Sequence, residues 1–63
     1  MGKLTVGEVD SLADAKAFVD QHANHLKSVD VHMILLGLSK SDREVLARYI
    51  RERGIEQVGE SGE

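Results

Sequence analysis

The chain has no cysteine and no proline among its 63 residues. Without thiols it can form no disulfide and no thiolate zinc site, and the absence fits a reducing compartment. Aromatic residues are almost missing too: Phe18 and Tyr49 are the only ones. The core is therefore expected to be aliphatic, without the side chains that usually bury the most area. A domain of this size buries only about 60% of the surface its unfolded form exposes. Small domains commonly add disulfides, a metal or a partner subunit. With thiols excluded, the composition puts mild pressure on the chain to oligomerise.

Long apolar runs are also lacking. The longest, Met33 to Leu36, is far short of the roughly 18 residues that suggest a membrane span. No basic stretch precedes an apolar one as in a secretory leader, and Val6 stands where a myristoylation signal places Ser or Thr. A cytoplasmic protein with no membrane partner is the expectation. Neither sign of charge dominates until the end. The net charge is −3, and residues 55–63 carry three Glu with no Lys or Arg. A nucleic-acid binder is usually marked by a basic stretch; this chain ends on an acidic one. No repeat or linker divides it. One small domain over 1–58 is expected, followed by a flexible acidic tail over 59–63.

Lys3 to Val9 alternates polar and apolar residues, which predicts a half-buried strand with a possible bulge at Gly7. Asp10-Ser11 then offers helix caps. Leu12, Ala15, Val19, Ala23 and Leu26 recur at helical spacing, predicting an amphipathic helix over 11–27. Val29 to Leu38 reads V-D-V-H-M-I-L-L-G-L. Its β-branched residues favour a central strand covered on both faces, with Val29, Val31, Met33 and Leu35 on one side. A short buried helix stopped at Gly37 remains open, since periodicity does not separate the two. Ser41-Asp42-Arg43-Glu44 has the spacing of a capping box and predicts a helix over 42–53. Glu44–Arg48 and Arg48–Glu52 are expected ion pairs on its solvent side. Gly54 is placed as its left-handed terminator with Ile55 beyond it. Ile55 to Val58 alternates again and suggests a short last strand. The expected fold class is α/β: a small β-α-β-α(-β) single layer, completed by dimerisation. The alternative is an all-α helical bundle with residues 31–37 helical.

Little here carries chemistry. His22 and His25 lie three apart on a helix, but as a stripe-edge and a surface histidine rather than a metal pair. Gly37 to Ser41 could cradle an anion at a helix start, although turn and cap residues explain it as well. No nucleophile elbow, phosphate loop or dinucleotide fingerprint is present. No catalytic residue, metal or cofactor is expected.

Leu35-Leu36-Gly37-Leu38-Ser39-Lys40-Ser41, followed by Arg43, Arg48, Tyr49 and Arg51, resembles the turn and recognition helix of helix-turn-helix DNA-binding proteins. The resemblance covers about twenty residues and implies three helices, with the last laid in the major groove. The chain departs from that pattern at Glu44 and Glu52, which interleave with the arginines, and in a start that reads as a strand. The function expected first is a non-enzymatic protein–protein interaction module, of the kind used as an inhibitor, adaptor or accessory factor. It is expected to be a homodimer, with Val29, Val31, Met33, Leu35 and Tyr49 at the contact. The alternative is a helix-turn-helix regulator contacting DNA through Lys40, Arg43, Arg48 and Arg51.

Overall fold

The computed structural model describes residues 2–58. The predicted acidic tail over 59–63 lies outside the described residues. The chain is small and mostly helical. Among the described residues three α-helices, α1 (Leu12–Gln21), α2 (Ser28–Leu36) and α3 (Lys40–Arg53), surround one core of aliphatic side chains and Phe18. Two dipeptides, β1 (Leu26–Lys27) and β2 (Gln57–Val58), form a parallel bridge, with Leu26 paired to Gln57 and Lys27 to Val58.

The predicted first strand does not form. Residues 2–5 run without regular structure into a 3₁₀ turn, Val6–Glu8, that includes Gly7. Alternation alone makes no strand; a strand needs a neighbour to pair with, and the only pairing among the described residues joins β1 to β2. Gln21 at the end of α1 and His22 just beyond it hold the segment instead. The Leu4 N–H donates to Gln21 Oε1 at 2.6 Å, and His22 Nε2–H donates to the Leu4 carbonyl at 2.9 Å. Leu4, Val6 and Val9 still pack on the core. Their apolar spacing found burial without a sheet.

The first long helix starts as predicted and stops early. Ser11 caps α1 by accepting from the Asp14 N–H at 3.3 Å. Ala15, Phe18 and Val19 are buried along its inner stripe. The helix gives way at His22, and Ala23–His25 form a 3₁₀ turn. Asn and His propagate helix poorly. The turn redirects the chain so that Leu26 is fully buried from β1 rather than from a longer helix.

The largest correction falls on 29–38. The central strand is absent, and the segment is helical as in the all-α alternative, over Ser28–Leu36. Val31, Ile34 and Leu38 are buried, at the spacing of one helical face and its continuation into the turn. β-branched Val29, Val31 and Ile34 argued for a strand on propensity, which tertiary packing routinely overrides. The short parallel bridge stands in place of the expected β-α-β-α(-β) layer.

α3 carries a second correction. Its cap is Ser39, not Ser41: Ser39 Oγ accepts from the Asp42 N–H at 3.3 Å, and the helix begins at Lys40. Ser41 lies inside the first turn, exposed. Ser39→Ala is therefore expected to cost about 1 kcal/mol, whereas Ser41→Ala is expected to be neutral or slightly stabilising. Urea denaturation of the two variants would show it, and equal losses would argue against the assigned cap. The C-terminus is as predicted. Gly54 adopts φ 69°, in the left-handed region. Its N–H reaches the Arg51 carbonyl at 3.1 Å, and the Ile55 N–H reaches Ile50 at 3.3 Å. Ile55 packs back on the core, completing the Schellman arrangement.

Candidate functional site

α2 is apolar almost all round. Its inner face holds Val31 and Ile34, both 4% exposed. Its outer face holds Val29, Met33 and Leu36, exposed by 43%, 53% and 62%. These three are four and three residues apart and so form one stripe along the helix. Beside the stripe lies an open groove of about 550 Å³, lined by Ser28, Val29, Val31, His32, Leu35 and Gln57. The groove has α2 on one side and the start of β2 on the other. Stripe and groove share Val29, and so form one surface. Val45, 42% exposed, is the remaining large exposed aliphatic of the described residues.

The contact residues expected from sequence separate accordingly. Val29 and Met33 are at the surface. Val31 is core and Leu35 is half-buried, and both line the groove. A strand register sets Leu36 on the opposite face from Met33. Helical geometry puts the two together, and Leu36 is the most exposed residue of the stripe.

Tyr49 belongs to a different structure. Its hydroxyl donates to Asp20, 3.0 Å from Oδ1 and 2.9 Å from Oδ2. Arg53 Nε lies 3.0 Å from the same carboxylate. The Lys16 ammonium and the Arg53 guanidinium stand 5.3 and 5.2 Å from the Tyr49 ring centroid, within the range of a cation–π contact. This latch ties the end of α1 to the second half of α3, so Tyr49 is engaged within the chain. Among the described residues the ion pair that forms is Arg53–Asp20; the expected Glu44–Arg48 and Arg48–Glu52 pairs are not closed. The hydrogen bond to Asp20 raises the Tyr49 phenol above its ordinary value. Partial desolvation adds to the rise, and the Arg53 charge opposes it. With a single tyrosine, an absorbance titration reads this group alone. Asp20→Asn is expected to lower its midpoint, and an unchanged midpoint would break the assignment. The folded-state value is raised, so whatever stability the latch adds is present at neutral pH. It is lost as pH rises through the phenol's titration.

Lys40, Arg43, Arg48 and Arg51 are all exposed on α3. Glu44 stands one turn from both Lys40 and Arg48 on the outermost face, so carboxylate alternates with cation there. His22 is stacked on Phe18, with ring centroids 4.1 Å apart, and holds the Leu4 carbonyl. Ser39 Oγ in the Gly37–Ser41 turn is occupied by the Asp42 N–H. Among the described residues no polar or charged side chain is buried, and no three His, Asp or Glu gather at metal distance. No helix among them is long and apolar enough to cross a membrane. Comparison with protein-family models, with curated proteins and with solved structures found no match.

Proposed function

We propose that the chain is a non-enzymatic protein-interaction module that docks its partner on the outer face of α2. The observation that supports this is one helix with two apolar faces. The inner face builds the core, while the outer face leaves Val29, Met33 and Leu36 in water beside an open groove. Covering each of these side chains is worth on the order of 1 kcal/mol. Single exposed aliphatics need no explanation, but a contiguous patch marks an interaction surface. Met33→Glu tests the reading, because it charges the centre of the stripe without touching the core. Wild type and variant would be used as baits, and retained proteins quantified by mass spectrometry. The expected result is a partner, or the chain itself, held at least ten-fold less by the variant. Identical retention, with no self-association, would remove the proposal.

One observation favours a second reading. α2, the three-residue turn Gly37–Ser39 and α3 have the connectivity of a helix-turn-helix, and α1 supplies a third helix. A DNA-binding regulator would use Lys40, Arg43, Arg48 and Arg51. The interleaved Glu44 and the net charge of −3 weigh against phosphate contact. Retention on duplex DNA across a salt series decides this: binding through those side chains must weaken steeply with salt.

A further inference from the structure

The outer stripe of α2 is close to symmetric about its own middle. Val29 lies four residues before Met33 and Leu36 three after it. This is the seam spacing of paired helices. A two-fold axis beside Met33 sets that residue against its copy and each Leu36 over the other copy's Val29. The two ends of the stripe complement each other. Leu36 is the most exposed large hydrophobic side chain of the described residues, and Val29 lines the groove. Leu36 also lies one turn from His32, which lines the same groove. An antiparallel pair brings like flanks together, so projection and recess meet twice, as an isologous contact requires.

The charges permit the same arrangement. No charged residue interrupts the stripe. Asp30 lies on the flank away from His32, and the two-fold sets it opposite the partner's Gly37 rather than another carboxylate. Resting on the reading of α2 as a docking face, we propose that its occupant is a second copy of this chain. The copies pack as an antiparallel α2 pair, and Leu36 of each seats in the groove of the other. A stable dimer buries about 800 Å² per copy, close to a fifth of this chain's 4414 Å². Three side chains do not supply that area; even with Ser28, His32, Leu35 and Gln57 of the groove closing on the partner the contact stays small, and the dimer is weak and concentration-dependent.

The absence of cysteine gives a clean test. Helix axes roughly 8–10 Å apart place the Met33 Cα atoms within disulfide reach across the two-fold. At 1.5 Å per residue, like positions at Leu36 lie about 9 Å apart along the axis and those at Val29 about 12 Å. Met33→Cys is therefore expected to form a covalent dimer under mild oxidation. Val29→Cys and Leu36→Cys are each expected to cross-link about ten-fold more slowly alone, and readily when mixed. Sedimentation equilibrium of the wild type from about 10 to 500 µM should show mass rising from monomer towards dimer. Met33→Glu, with its helix content checked by circular dichroism, should stay monomeric. A wild type that is monomeric throughout, a dimer indifferent to Met33→Glu, or equal cross-linking at all three positions would each overturn the proposal. If the wild type is monomeric but a different protein binds it and not Met33→Glu, the self-pairing falls and the docking face stands. If nothing binds, both fall.

Discussion

Leu46→Ala is expected to leave most molecules unfolded at 25 °C. Leu46 has no exposed surface and sits on the face of α3 that joins the core formed with Ala15, Phe18 and Val19 of α1. Truncating a fully buried leucine costs about 3–5 kcal/mol, from lost transfer energy and the cavity left behind. A core in a domain of this size supplies about the same amount in total. The two quantities meet, so the variant has no margin. Neighbouring Val45 is 42% exposed, and Val45→Ala should change stability by no more than about 0.5 kcal/mol. Urea titration followed by helical circular dichroism compares them directly. A Leu46→Ala midpoint within about 0.5 M of wild type would show that α3 does not carry the core in this way.

The elements legible in the sequence are those whose signals are local. Ser11 caps α1, and Gly54 with Ile55 ends α3, because a cap is a matter of a few consecutive residues. At the start of α3 Ser41 has the spacing of a capping box with Glu44, but it is Ser39 Oγ that accepts from the Asp42 N–H. Residues 3–9 and 29–38 depart from the strands that their sequence suggests, the first for a nonlocal reason. What holds Leu4 is Gln21 and His22, seventeen and eighteen residues away, and no pattern within the segment encodes them. In α2 the apolar residues Val29, Val31, Met33, Ile34, Leu35 and Leu36 surround the helix, so neither a two-residue nor a 3.6-residue period stands out. The misreading carried into the site. A strand puts alternate residues on one face, which grouped Val31 with Met33 and parted Met33 from Leu36. A helix reverses both pairings. Arg43, Arg48 and Arg51 are exposed on α3, as one apolar stripe and a long polar face lead one to expect, although the ion pairs expected among them do not close.

Met33 and Ile34 are adjacent, and glutamate at each should give opposite results. As a strand covered on both faces, the segment would bury both side chains, and either substitution would be ruinous. As α2, it exposes Met33 by 53% and Ile34 by 4%. Ile34→Glu pushes a carboxylate into a site with no polar partner among the described residues, where no buried polar side chain exists to receive it. The chain must expose the charge by unfolding or keep the group protonated, at a cost of several kcal/mol. That exceeds what a domain of this size holds in reserve, so the variant should lack cooperative unfolding at neutral pH. Acid should restore part of its structure, since protonation removes the charge but not the misfit. Met33→Glu replaces one exposed helix-compatible residue with another and should stay within about 0.5 kcal/mol of wild type when measured dilute. Any larger effect of Met33→Glu should then depend on protein concentration, because what the substitution removes is a contact between molecules. Stability that falls equally for both variants, at every concentration, would return the segment to a two-faced buried strand and dissolve the outer face on which the docking proposal stands.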